Sequence, residues 1–255
     1  MKKHLPVFLF VALILIASYV IGNPPKVSAP KPKQPTPTTI QPAPKPKAAF
    51  NKLAYSTTDA TSVWVIANKQ HPLDPKVYVP ADLVVPTIAL RSSITISEKY
   101  VRRDAAQALQ TMVAAATTEG VTLDLQSGYR SYVFQENLYN RYVQQQGQTV
   151  ADSQSARAGY SEHQTGLAVD LGGISNPACN IAQCYATTTE GQWLAINAYR
   201  YGFIIRYPAT KQSVTGYEYE PWHIRYVGLG LSLEMHSQGV TTLEEFFNVS
   251  GGQNY

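Results

Sequence analysis

Between Asn23 and Ala49 the chain holds nine prolines and five lysines, no acidic residue and almost no large apolar side chain. Such a stretch cannot bury enough apolar surface to offset the entropy of ordering it. Residues 23–50 therefore read as an extended, disordered, positively charged linker. What folds must do so within residues 51–255, a length that suits one domain. Ahead of the linker, Lys2-Lys3-His4 precedes Leu5–Ile21, an apolar run of 17 residues without a charge. A basic start followed by an apolar run is an export signal, and this one is slightly short of a full span of about 20 residues. No A-x-A site follows it, and no Cys is there to carry a lipid. Residues 1–22 are expected to be a signal peptide or, by preference, an uncleaved membrane anchor. The folded part is then extracytoplasmic, at the cell surface, anchored or secreted.

The overall charge of +4 does not describe the folded part. Seven of the 21 basic residues and none of the 17 acidic ones lie in residues 1–50, leaving 14 against 17, a net of −3. A basic face for nucleic acid is not expected. The only cysteines are Cys179 and Cys184. Export permits a disulfide, and a lone pair falls short of the four ligands of a structural zinc site. A local disulfide staple is expected.

The clearest helix spans Glu98–Thr118, where Val101, Ala105, Leu109, Met112 and Ala116 recur at intervals of three and four and Gly120 stops the chain. A second runs from Tyr132 to Gln146, with Ser131 as cap and Gly147 as stop. Shorter helices are expected over Ala151–Ala158, Glu190–Tyr201 and Thr242–Phe247, the last capped by Thr241 or Thr242. Strands are expected over Val121–Leu125, Leu167–Leu171, Phe203–Tyr207 and Trp222–Val227. Ser62–Lys69 is strand-like, and Tyr78–Val85 reads as an extended segment that wraps the core, because Pro80 interrupts it. Helices and strands are interspersed without a regular βαβ alternation, so the expected fold is α+β with a small antiparallel sheet flanked by helices.

Two stretches carry chemistry: SEHQTGLAVD (Ser161–Asp170) and EPWHIRYVG (Glu220–Gly228). A catalytic zinc takes three N or O ligands and keeps one position open. Of the five histidines, His4 lies in the export segment, and His71 and His236 read as ordinary surface residues. His163 lies in a loop, and Asp170 ends a strand before Gly172-Gly173. Taken alone, Asp170 reads equally as a turn cap, and His163 as a loop histidine satisfied by its neighbours. The second stretch strengthens the metal reading. Glu220 and His223 face opposite ways in a straight strand, but Pro221 bends the chain so that both can reach one cleft. Two His, one Asp and a free Glu form the minimum set for metal-assisted amide hydrolysis. Two imidazoles and one carboxylate suit Zn2+ best.

These stretches resemble the SxHxxGxAxD and ExWHxRYVG motifs of the D-alanyl-D-alanine carboxypeptidase family, which includes VanY-type enzymes and L,D-carboxypeptidases. QSGYRS (Gln126–Ser131), the segment Trp193–Pro208 and the start Trp64–Leu83 are similar to the same family, so the resemblance covers about residues 63–240. It implies the Hedgehog/D,D-peptidase fold, with zinc on His163, Asp170 and His223 and Glu220 as general base. It further implies that Arg130 contacts the substrate and steadies the oxyanion, although a surface salt bridge is the plain alternative for an arginine. Gln135 and Ser161 match positions that bind the substrate's terminal carboxylate. Tyr129 and Trp222 are expected to line the cleft or pack in the core. The implied activity is removal of the terminal D-Ala from peptidoglycan stem peptides. The alternatives are an L,D-carboxypeptidase acting on tetrapeptides, a non-catalytic cell-wall-binding domain, or an endopeptidase. The Cys179–Cys184 insertion follows the metal strand, where it can shape the rim of the site.

Overall fold

The computed structural model describes residues 49–255; the expected anchor and most of the linker lie outside them. In chain order the elements are β1 (Leu83–Val84), β2 (Val101–Arg102), α1 (Arg103–Thr118), β3 (Leu123–Ser127), α2 (Tyr132–Gln146), α3 (Gln148–Gln154) and β4 (Ala168–Gly173). Then follow α4 (Thr189–Asn197), β5 (Phe203–Ile205), α5 (Gln212–Thr215), β6 (His223–Tyr226), α6 (Leu229–Gln238) and α7 (Leu243–Phe247). Four strands form one antiparallel sheet in the order β3-β4-β6-β5, and β1 pairs with β2. The expected α+β fold with a small antiparallel sheet is what the chain adopts.

Side chains alternate across a sheet, and here the two faces have different tasks. On one, Leu123, Leu125, Val169, Leu171, Phe203 and Ile224 pack with Leu109 and Met112 of α1 and Leu194 of α4 into the main core. On the other, Ile204 joins Trp64, Ile66, Leu231, Met235, Leu243 and Phe246 in a second cluster at the β5 end. Every residue of β4 is buried. Toward the β3 end the second face carries Ser127, Asp170 and His223, which sit opposite one another in the pairing register.

Three local expectations need correction, and one helix went unread. The helix begins at Arg103, not Glu98: a short 3-10 turn covers Ser97–Lys99, and Val101–Arg102 is β2. The backbone of this stretch is committed elsewhere. The Glu98 and Tyr100 carbonyls accept from Gly128 N and Tyr129 N, both at 2.7 Å, and Arg102 N donates to Gly166 O at 2.8 Å. Those tertiary bonds overrule helical periodicity. Ser62–Lys69 is not a strand. Trp64, Val65, Ile66 and Ala67 are buried and Val63 is half-buried, Trp64 Nε1 donates to Val227 O at 2.9 Å, and the segment forms turns with one bridge between Asn68 and His71. The helix expected at Ala151–Ala158 starts earlier, at Gln148, and stops at Gln154. The sequence reading has no helix over Leu229–Gln238, which buries three of its ten residues, Leu231, Ser232 and Met235.

Other local signals hold. Ser131 accepts from Phe134 N at 3.2 Å and Thr242 from Glu245 N at 3.2 Å, as N-caps. Cys179 and Cys184 are disulfide-bonded. Phe50 already stacks on Trp64, with ring centroids 5.6 Å apart, so ordered packing begins one residue before Asn51.

Candidate metal centre and cleft

The backbone that presents the site is built by glycine. Gly128 turns the chain after β3, and a Cβ there would collide with the Glu98 and Tyr100 carbonyls that hold the turn. Gly166 ends the 3-10 turn Glu162–Thr165 in the left-handed region, at φ 67°, a conformation that side chains with a Cβ disfavour. Its nitrogen donates to His163 O at 3.1 Å, and Arg130 N donates to the same carbonyl at 3.3 Å. His163 is thus pinned between the turn after β3 and the entry to β4.

His163, Asp170 and His223 converge, with one ligand atom from each lying within 4.8 Å of the others. His163 Nε2 is 3.3 Å from Asp170 Oδ2, and His223 Nδ1 is 3.3 Å from Asp170 Oδ1. All three residues are buried. His163 Nδ1 lies 2.7 Å from Gly128 O. A carbonyl only accepts, so Nδ1 carries the hydrogen and Nε2 keeps a lone pair toward the cluster. Asp170 Oδ1 is buried and receives no well-aligned hydrogen bond, with His223 Nδ1 3.3 Å away, a costly condition that a cation would relieve. The donor set, its convergence and this orphaned oxygen fit zinc. Charge is arranged accordingly. Burial alone would raise the Asp170 carboxyl, but His163, His223 and Arg130 hold it well below the usual carboxylate range. Burial and the nearby Arg130 charge lower His163. For His223 burial works against the charged ring, but Asp170 and Glu220 outweigh it and push it up to about 9.

Glu220 Oε2 lies 3.2 Å from His223 Nδ1, and burial raises its carboxyl. Arg130 is not a free surface group. Its Nη2 donates to Asp170 Oδ2 at 2.6 Å and its Nε to Ser127 Oγ at 3.0 Å. The cleft, about 380 Å3, is walled by Arg130, Gln135, Ser161, Glu220 and Trp222 together with the three converging residues. All seven sequence-selected site residues therefore meet in one hollow. Tyr129 does not join them; it packs beside Leu83 and Phe134 in a separate apolar recess. Gln135 is buried, with Nε2 donating to Ala156 O at 2.7 Å and Ser155 Oγ at 3.1 Å, while Oε1 has no donor. His236 is exposed and stacks on Tyr199, and His71 holds Asn68 at 3.0 Å. Neither touches the cleft.

Sequence reasoning missed the aromatic wall of Tyr207, Tyr217 and Tyr219, although the run Tyr217-Glu218-Tyr219 ahead of the second motif was visible. It also missed what lies beneath the metal loop. Glu162 Oε1 accepts from Arg206 Nε at 2.8 Å and Arg225 Nη1 at 2.7 Å, and Arg206 forks onto Glu244 at 2.7 and 2.9 Å. All four side chains are buried.

With this geometry established, comparisons place the chain among known proteins. The family model described as VanY, D-alanyl-D-alanine carboxypeptidase, matches residues 98–229. YodJ of Bacillus subtilis is 43% identical over 186 residues, covering 73% of this chain and 67% of that protein. The D-alanyl-D-alanine carboxypeptidase of Enterococcus faecium is 39% identical over 153 residues, covering 60% of this chain and 45% of its own length. The chain thus spans just under half of the enterococcal protein. Among solved structures, the LdcB LD-carboxypeptidase superposes with a TM-score of 0.70 at 42% identity, covering 75% of this chain and 88% of that one. A vancomycin-resistance D,D-pentapeptidase VanY in complex with Zn(II) gives 0.58 at 30% identity, covering 72% and 98%.

Proposed function

The chain belongs to the VanY family of D-alanyl-D-alanine carboxypeptidases, and from that membership we propose that it removes the terminal D-alanine of peptidoglycan stem peptides by zinc-dependent hydrolysis. The observation that carries the reading is the convergence of two imidazoles and a carboxylate within 4.8 Å, with a second carboxylate, Glu220, 3.2 Å from one of them. His163 Nε2, Asp170 and His223 Nδ1 would hold the ion. Zinc bound there supplies Lewis-acid polarisation of the scissile carbonyl and makes water acidic enough to ionise near neutral pH.

The remaining steps belong to the chain's own side chains. Glu220 takes the proton of the attacking water and returns it to the departing amine. Arg130, held by Ser127 and Asp170, presents its guanidinium edge to the oxyanion as negative charge develops. Ser161 receives the terminal carboxylate. Gln135 has both amide hydrogens engaged, so it takes part through Oε1, an acceptor for a substrate N–H, and by orienting Ser155. Trp222 and the tyrosine wall exclude water around the bond that breaks.

D,D-cleavage of pentapeptide stems is the first reading. L,D-cleavage of tetrapeptide stems is the second, favoured by the higher identity and TM-score with LdcB than with VanY. Incubating the zinc-loaded protein with both stems and identifying the amino acid released decides between them. No release from either stem, with zinc bound, leaves only the reading of a binding module. Action is extracytoplasmic. Attachment to a membrane through Leu5–Ile21 is part of the proposal, and among the described residues no helix is long and apolar enough to cross a membrane. Recovery of the protein in the soluble rather than the membrane fraction would remove the anchor.

A further inference from the structure

A second recess of about 340 Å3 adjoins the metal cleft. The two hollows share Arg130, Leu138, Tyr142, Asp170 and Ile181 in their walls. One wall is α2, where Phe134, Leu138 and Arg141 fall at i, i+4 and i+7 and so lie along one face. At the junction stands Ile181, in the left-handed region at φ 59°, inside the loop closed by the Cys179–Cys184 bond.

The recess holds a surplus of guanidinium donors. Arg91, Arg130 and Arg141 line it, against the carboxylates of Glu98 and Asp170. Each carboxylate already has an arginine partner on one oxygen. Glu98 Oε2 accepts from Arg91 Nη2 at 3.3 Å and Thr95 Oγ1 at 2.8 Å, and Asp170 Oδ2 accepts from Arg130 at 2.6 Å. What is left over is positive. Arg141 has no ion pair or hydrogen bond among the described residues, and Arg91 Nε is buried without an acceptor. A folded part whose net charge is −3 nonetheless concentrates unspent cationic donors in the hollow beside the cleft.

We propose that this recess is a subsite for a carboxylate borne by a residue on the acyl side of the scissile bond, with Arg141 and Arg91 as its readers. The inference rests on the carboxypeptidase reading. A carboxypeptidase's leaving residue is a single amino acid held in the cleft, so only the acyl portion extends far enough to enter a neighbouring hollow. Planar guanidinium forks match a carboxylate's geometry. Ile181 narrows the passage and sets what reaches the arginines.

The test uses zinc-loaded full-length protein and two peptides with the same C-terminal residues, differing only in an upstream free carboxylate or its carboxamide. The wild type should process the carboxylate peptide with a kcat/KM about tenfold higher, the size of one charge-assisted contact. Arg141→Gln should bring that ratio close to one while leaving the carboxamide rate unchanged. Equal rates in the wild type, or an Arg141→Gln that slows both peptides alike, would overturn the subsite. Calorimetry of both peptides with zinc-loaded Glu220→Ala separates this claim from the activity it rests on. Selective binding without wild-type turnover sinks the hydrolase reading and keeps the subsite. Turnover without selectivity does the reverse.

Discussion

Glu220 stands 3.2 Å from His223 Nδ1 with its carboxyl raised by burial, a state suited to a group that must accept a proton and give it back. Glu220→Ala should retain zinc, measured by metal analysis, and lose roughly 10²–10⁴ in turnover; retained turnover would remove it from the mechanism. His223 yields a pH prediction. Its metal-free pKa is pushed up from the ordinary histidine range to about 9, so below that pH zinc must displace a proton. Zinc affinity should therefore fall as pH drops from 9, about tenfold per unit, in competition with a chromophoric chelator. A pH-independent affinity would contradict the assignment of His223 as a ligand. The converging residues were legible in sequence because the chemistry demands particular atoms, and few side chains supply them. Gln135 shows where that stopped. The family resemblance implies a contact with the substrate's terminal carboxylate, while in the structure its amide nitrogen donates to Ser155 and Ala156, and nothing local predicts that loop's position.

Elements were legible where local rules act alone. The caps Ser131 and Thr242 and the stop at Gly147 need only their own neighbours. The start of α1 failed because the Glu98 and Tyr100 carbonyls are claimed by a turn nearly thirty residues away, at Gly128 and Tyr129. That turn supplies an element-scale prediction. Gly128→Ala drives a methyl into those carbonyls, so it should cost about 1–3 kcal/mol in urea unfolding, the range for overpacking. It should also weaken zinc binding, since Gly128 O orients His163. Unchanged stability and affinity would mean that the turn yields freely. The strand expected at Ser62–Lys69 failed for a related reason. Its alternating apolar residues do meet a core, but as a wrapped segment whose polar groups bond to β6, Glu244, the C-terminal tail and the preceding turn rather than to a strand partner. Arg225 Nη2 reaches Val63 O and Val65 O at 3.0 and 2.8 Å.

At the scale of the molecule, the Glu162–Arg206–Arg225–Glu244 network ties the metal loop to β6, α7 and the segment after β5. Breaking a buried ion pair from one side is expensive. Arg206→Met, which leaves Glu244 with Asn68 as its remaining side-chain donor and Glu162 with Arg225, should lose about 3–5 kcal/mol of stability, measured by chemical denaturation; a loss under 1 kcal/mol would show the network to be dispensable. Zinc should act on the whole fold as well. At free zinc of 100 Kd the midpoint should reflect about 2.7 kcal/mol of added stability, lost on chelation. This network was invisible in sequence, since each of its members reads alone as a surface charge. A last consequence follows from Asp170 lying directly opposite His223 across β4 and β6. Shifting one strand past its neighbour by a single residue turns every side chain over, and would send the imidazole and the carboxylate to opposite sides. A misaligned molecule would be unable to capture the ion, so metal uptake through these two residues would reward only correctly paired chains.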